Sequence, residues 1–341
     1  MKRKWDFGSL RARLVVWFLL AIVPLAGFGV FSHFKGRSSM RELVGNDFRD
    51  RAMSTADKIS RNLFERYIDI VDRSQSATLA GTKTTPEQKS ATLARFVEAR
   101  LPVYSSIVLT NAEGRVVAAS RPDLVGTDES KADWFVEATG DEPYFSPTVY
   151  GDSTVGGPTI AFAMHVKEAG DASSSGVVCA RVDYGALFTE NLVKKETFGK
   201  TGEILVVDRK SGLVLASKDP GAVLKAKLTD HNAFKLAQKT AHGFTTERDP
   251  ATGKKYAVGW ATEQGFSTFP GQRVLVFVRQ ETSEAFRSVT ELGVTFLVAL
   301  AIAAAAVVFL ALRVSDAVSR PVLSLVGVAE GIARGELAEV P

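Results

Sequence analysis

One cysteine, Cys179, occurs in 341 residues, so no intrachain disulfide is possible. It lies in the apolar run Gly176-Val177-Val178-Cys179-Ala180, which reads as a core thiol rather than a reactive one. Histidine is nearly as scarce. His33, His165, His231 and His242 are scattered, and none has a partner His, Cys or carboxylate set at metal-ligand spacing. No Ser/His/Asp or Cys/His arrangement is present, and Gly156-Gly157-Pro158 is turn chemistry rather than a phosphate-cradling loop. The sequence predicts no metal, no cofactor and no catalytic constellation. A net positive excess is also missing from most of the chain, where basic and acidic residues nearly balance. The net charge is +4, and residues 1–13 carry +4 by themselves through Lys2, Arg3, Lys4, Arg11 and Arg13 against Asp6. A pI near 9 therefore does not signal a nucleic-acid partner.

Charge is absent altogether from two runs, Leu14–Phe34 and Leu292–Leu312, each 21 residues long. A helix of about 20 residues crosses a bilayer core, and a helix satisfies all its backbone groups internally, as lipid requires. The first run ends through Gly29, Val30, Phe31, Ser32 and His33 with no small-x-small site, so it reads as an uncleaved anchor and not a signal peptide. The basic leader places the N-terminus in the cytoplasm. Two spans then put residues 35–291 in the periplasm or cell exterior and return the C-terminus to the cytoplasm. The expected location is the inner (plasma) membrane, multi-pass.

Apolar residues recur at helical spacing from about Ser38 to Leu79, with no Pro and only Gly45 to weaken the pattern. Such a helix is about 60 Å long at 1.5 Å per residue. Its stripe suits packing on its own domain, pairing with a second copy, or both. Turn residues Gly81–Pro86 end it, and Glu87–Arg100 reads as a shorter helix. Strand patterns follow. Ile107–Thr110 and Val116–Ala119 flank a turn at Asn111–Gly114, and the same hairpin signal returns at Ile204–Asp208 and Leu213–Ser217, about 97 residues on. That repeat predicts two related α/β modules in tandem. Further strands are expected at Thr159–Val166, Lys255–Trp260 and Val274–Val278. In the first of these, Thr159, Ala161, Ala163 and His165 form a small-residue face that can floor a pocket or face solvent.

Two runs, Gly176–Tyr184 with Leu187 and Phe198–Asp208, resemble the double Cache sensor domain, and the likeness covers roughly Lys35–Glu284. The resemblance implies an α+β fold: two transmembrane helices flanking a long helix and two tandem PAS-like modules with antiparallel sheets. The membrane-distal module would span about 80–190 and the proximal one about 198–280. Ligand binding is implied for the distal module. Double Cache domains that bind amino acids carry an Arg two residues before Trp-Tyr, then Tyr-x-Asp, then a strand Asp. This sequence matches at Trp134, Tyr150, Asp152 and Asp183, while Ala132 stands in place of the Arg and Phe135 in place of the Tyr. With Tyr144, the candidate ligand contacts are Trp134, Phe135, Tyr144, Tyr150, Asp152 and Asp183. Two carboxylates and an aromatic wall suit an ammonium group. A small polar ligand is expected, an amine before an amino acid, although Arg121, Lys131 or Arg181 can take over the missing Arg's part. Each position also has a plainer reading: Asp183 paired with Arg181 on one strand face, Asp152 capping a turn, Trp134 in the core.

After the second run, Ser319–Leu337 resembles the first helix of a HAMP linker. Pro321 lies near its start, Leu325, Val328 and Ile332 are spaced as a helical seam that would relay the signal, and Gly335-Glu336-Leu337 forms the exit. Residues 313–341 would be an incomplete HAMP module, and HAMP bundles imply a homodimer. No phosphoacceptor motif, nucleotide-binding segment or methylated coiled coil is present. The predicted function is the sensory and membrane part of a chemoreceptor or sensor kinase whose cytoplasmic output is unknown. The alternatives are the front end of a histidine kinase or nucleotide cyclase, or a membrane-anchored protein that binds a protein partner.

Overall fold

Residues Phe48, Ala52, Ala56, Ile59, Leu63 and Ile70 recur every three or four positions, or a multiple of that, and form the buried stripe of helix α1 (Leu10–Ser74) in the computed structural model of the protein. The backbone is described for residues 10–138, 142–147, 149–152, 157–167, 174–196 and 198–333. Residues 44–285 form one compact unit, and residues 1–43 with 286–341 form a second.

Within the first unit, α1 stops short of the predicted Leu79. The break falls at Gln75 and Ser76, where Ser76 takes an extended backbone (φ −65°, ψ 120°), and Ala77–Ala80 forms a separate turn, α2. Neither Gly nor Pro marks the break. Helix α3 (Pro86–Glu98) is capped reciprocally by Thr85 and Gln88, with Pro86 in its first turn.

Two antiparallel sheets of the same strand order follow. The first contains β1 (Tyr104–Thr110), β2 (Val116–Ala119), β3 (Tyr144–Phe145), β4 (Tyr150–Asp152), β5 (Gly157–Lys167) and β6 (Ser174–Asp183), in the order β2-β1-β6-β5-β3 with β4 also on β5. A short helix, α4 (Asp133–Glu137), lies between β2 and β3. The second sheet contains β7 (Glu203–Val207), β8 (Val214–Ser217), β9 (His242–Arg248), β10 (Lys255–Thr262) and β11 (Leu275–Glu281), in the order β8-β7-β11-β10-β9, with α5 (Asn232–Ala237) between β8 and β9. A π-helix, Gly185–Val193, joins the modules, and the Asp183 carboxylate accepts the Ala186 N–H at its start. Strand β9 has no apolar alternation, and neither it nor the π-helix was expected from the sequence.

Glycine is required where α1 meets the second sheet. A Cβ on Gly259 of β10 would lie 2.4 Å from the backbone of Phe48, and one on Gly45 would lie 2.5 Å from the Phe244 ring. The bare backbone lets helix and sheet approach this closely.

The second unit holds α7 (Arg287–Ala333), which follows the single turn α6 (Thr282–Ala285) of the first unit. Its segment Gly293–Val314 is long and apolar enough to cross a membrane, and it is the one such segment found among the described residues. Residues 14–34 are helical as part of α1. Pro321 lies within α7, and Val328 is exposed. The side chains of Pro321, Leu325 and Ile332, residues 1–9 of the basic leader and the Gly335–Leu337 exit lie outside the described residues. Arg41 stacks on the Phe286 ring at 5.7 Å.

Candidate functional site

Alternation along β5 and β6 decides what faces the first module's cavity. Ala161 pairs with Arg181, and Ala163 pairs with both Cys179 and Tyr144, so these residues share one face of the sheet. That face packs under Trp134 of α4, with Ala161, Ala163, Val177 and Cys179 in a common buried cluster. Small side chains there leave room above the sheet. On the opposite face Ile160, Phe162 and Val166 are fully buried.

The room is a cavity of 310 Å³ lined by Glu129, Ala132, Asp133, Trp134, Tyr144, Ser146, Pro147, Tyr150 and Arg181. Its volume falls at the small end of ligand sites. Arg181 is 6% exposed, and its Nη2 donates to Glu129 Oε1 at 2.6 Å. Its guanidinium also lies 6.0 Å from the centre of the Trp134 ring. Trp134 meets Phe135 edge-to-face, with centroids 6.1 Å apart. Burial pushes the Tyr144 hydroxyl above its ordinary pKa, with Glu137 and Asp133 adding to the shift and a Ser146 hydrogen bond opposing it. Ser146 is pinned to β5, accepting the Ala161 N–H at 3.0 Å and donating its own N–H to the Ala161 carbonyl at 2.9 Å. Opposite, the loop carrying Glu129 is held by the Glu129 N–H on the Gly114 carbonyl at 2.9 Å. Gly114 has φ +83°, and a Cβ there would lie 2.5 Å from Ser130.

The lining thus carries two carboxylates, one guanidinium and three aromatic rings. This arrangement suits a small cation, or a molecule with a cationic end, more than a simple anion.

Of the six residues singled out in the sequence, Trp134, Tyr144 and Tyr150 line this cavity. Phe135 packs against the cluster behind it. Asp183 lies outside the lining and caps the π-helix. The backbone of Asp152 pairs with Gly157, and its side chain lies outside the described residues. Arg181 pairs with Glu129 across the fold, not with Asp183 two residues away. Glu129, Asp133, Ser146 and Pro147 were not anticipated. Asp133 lies between Ala132 and Trp134, and Glu129 lies three residues before Ala132, so both carboxylates were adjacent in sequence to positions already singled out.

The corresponding space in the second module is nearly closed, at 10 Å³, about one water. His231 and Ala132 are the residues before α5 and α4, with matching backbone angles (φ −71°, ψ 136° and φ −70°, ψ 135°). His231 Nδ1 lies 2.9 Å from Glu247 Oε1, and Glu247 Oε2 accepts the Ala233 N–H at 2.7 Å. Among the described residues no group of three His, Cys, Asp or Glu is placed to hold a metal ion.

Solved structures share this fold. The ligand-binding domain of the Pseudomonas fluorescens chemoreceptor CtaA, in complex with L-serine, aligns with TM-score 0.53 at 20% identity, covering 71% of this chain and 99% of that one. The extracellular domain of rpHK1S-Z16, a protein assigned as a histidine kinase, aligns with TM-score 0.56 at 17% identity over 71% of this chain and 95% of its own. The ligand-binding domain of the Pseudomonas aeruginosa PAO1 amino acid chemoreceptor PctC, in complex with GABA, aligns with TM-score 0.53 at 19% identity over 69% of this chain and 99% of that domain. At these identities the likeness concerns the fold. No curated protein matches the sequence. A Cache-domain family model matches residues 36–289, three-quarters of the chain, and the protein belongs to the Cache-domain family.

Proposed function

We propose that this chain is the input part of a transmembrane receptor, and that the cavity of its first module takes a small polar ligand through an ammonium group. The observation that carries the proposal is the lining: Glu129 and Asp133 with Trp134, Tyr144 and Tyr150 around one 310 Å³ space. L-serine and GABA, held by the CtaA and PctC domains, both carry an ammonium group. The chain itself acts by binding and not by catalysis.

In this reading the +4 leader and two spans hold residues 35–291 outside the membrane, and the C-terminal helix around Pro321, Leu325, Val328 and Ile332 passes the signal to a cytoplasmic output in a homodimer. A ligand moves the receptor's equilibrium only by its differential affinity for two states, and a full switch takes about 5 kcal/mol. The test is calorimetry on the full chain in nanodiscs with ethanolamine, putrescine, L-serine and GABA. At least one should bind with 1:1 stoichiometry per cavity and raise the melting temperature. No binding by any of the four would remove the proposal.

A further inference from the structure

The loop from Glu263 to Val274 joins β10 to β11 in the second module, yet it supports the cavity of the first from behind. Gln272 Nε2 donates to the backbone carbonyl of Ser146, a lining residue, at 3.0 Å. Phe145, the residue between the lining residues Tyr144 and Ser146, meets the Phe269 ring at 5.0 Å. Phe269 is 1% exposed and also touches Phe162 of β5 at 6.3 Å.

The other side of the same loop sits on α1. Phe269 meets Tyr67 at 5.7 Å, and Phe266 meets Phe64 at 5.4 Å. Arg61 lies over the Phe266 ring at 4.4 Å. The fully buried Glu263 accepts the Ser60 hydroxyl at 2.8 Å, the Gly265 N–H at 2.7 Å and the Arg273 N–H at 2.8 Å. That carboxylate therefore ties α1 to both ends of the loop.

The loop's backbone is also unusual. Ser267 and Arg273 have φ of 53° and 60°, and Gly265 and Gly271 have φ of 87° and 83°. Non-glycine residues rarely adopt these angles, and they persist where surrounding contacts over-determine them. A Cβ on Gly265 would lie 2.3 Å from the Phe269 carbonyl, so the loop has little freedom to adjust internally. A segment this tightly built moves as a body rather than absorbing a displacement.

We infer that the 263–274 loop couples the first module's cavity to helix α1, with Phe269 and Gln272 acting as positioning residues. The inference rests on the proposal that this cavity binds a ligand. A ligand that draws in the wall at Tyr144–Pro147 displaces Phe145 and the Ser146 carbonyl. Phe269 and Gln272 follow, and the loop carries the shift to Ser60, Phe64 and Tyr67. Coupling of this kind is reciprocal, so a change on the loop or on α1 alters affinity in a cavity it never touches.

The experiment is hydrogen–deuterium exchange with calorimetry on the full chain in nanodiscs, probed with ethanolamine, putrescine, L-serine and GABA. A compound that binds should protect residues 144–150, 263–274 and 60–67 together. Gln272→Ala should weaken its affinity about fivefold and abolish protection at 60–67. Ser60→Ala should keep protection at 263–274 and weaken it at 60–67, where the Phe64 and Tyr67 ring contacts remain. Gln272→Ala should melt close to wild type, whereas Ser60→Ala, which removes one of three donors from the buried Glu263 carboxylate, should melt lower. The response of Gln272→Ala therefore separates coupling from folding. Protection confined to 144–150, or a Gln272→Ala protein that responds as wild type, overturns the coupling and leaves sensing intact. Absence of binding by all four compounds overturns the sensing proposal, and the coupling falls with it.

Discussion

Arg279 stands in the second module where Arg181 stands in the first. Ile107 pairs with Ala180 and Ile204 with Val278, and the two hairpins bulge at the same step, so the registers superpose. Arg279 holds Glu203 at 2.7 Å and Asp249 at 3.3 Å and lies 4.7 Å from the Tyr256 ring centre. Arg181 holds Glu129 and lies near Trp134. One strand position thus carries a guanidinium beside an aromatic ring in both modules. The space around it is open in the first module and filled by His231, Phe234 and Glu247 in the second.

Breaking the first of these pairs should be costly. Arg181→Met leaves the Glu129 carboxylate, 19% exposed, facing an apolar group, and is expected to destabilise the protein by about 3 kcal/mol. Arg181→Met with Glu129→Gln should recover most of that loss. Urea midpoints of the two variants against wild type provide the comparison, and equal midpoints for single and double variants would contradict it.

Asp133 lines the cavity without belonging to the Arg181 pair in the structure. Asp133→Asn removes one charge at nearly constant shape and should weaken an ammonium ligand by about tenfold, the scale of one charge-assisted hydrogen bond. Calorimetry with whichever of the four compounds binds wild type measures it. Unchanged affinity would mean the ammonium is held elsewhere.

Asp183→Ala should behave in the opposite way. Its carboxylate caps the π-helix through the Ala186 N–H at 2.9 Å and lies outside the cavity lining. The expected result is a loss of about 1 kcal/mol in stability with ligand affinity changed less than twofold. A large loss of affinity at full stability would place this carboxylate on the ligand.

Glu284 accepts the Thr201 hydroxyl at 2.6 Å and the Lys200 and Thr201 N–H groups at 2.6 and 2.8 Å, which lowers its pKa to about 2 from 4.5. Because the folded pKa is depressed, its contribution is present above pH 4.5 and disappears as pH falls through about 2. Glu284→Gln should therefore flatten the loss of stability between these values. Denaturant melts at pH 5, 4 and 3 follow it, and parallel curves for variant and wild type would refute it.

Gly259→Ala forces a methyl against the Phe48 backbone 2.4 Å away. Neither helix nor sheet can yield at a backbone contact, so a loss of about 2 kcal/mol is expected, within the range for overpacked cores. A thermal melt within one degree of wild type would show that α1 has slack there.

The parts of this fold that could be read from sequence are those with periodic burial. The β-branched runs of β5, β6, β10 and β11 and the repeated hairpin stand out because both faces, or one, exclude water. Strand β9 did not stand out, because His242–Arg248 is an edge strand with exposed positions at both ends. The π-helix is buried at Ala186–Thr189, Leu192 and Val193, and such a pattern carries no mark of its hydrogen-bond period. At the cavity, Trp134 and Tyr150 were legible through the resemblance to the double Cache motif. The Arg181–Glu129 pair was not, because its partners are 52 residues apart. Strand spacing proposed Asp183 instead, which is near in sequence but bonded to the next helix.

The 263–274 loop sets a practical boundary for building hybrid two-module Cache domains. A chimera that joins one protein's first module to another's second module after Val193 keeps every lining residue of the donor cavity. It nevertheless replaces the Phe269 ring behind Phe145 and the Gln272 amide on Ser146 with foreign side chains. The graft that preserves donor affinity is therefore discontinuous: residues 44–193 together with 263–274, the second piece taken from a different part of the gene.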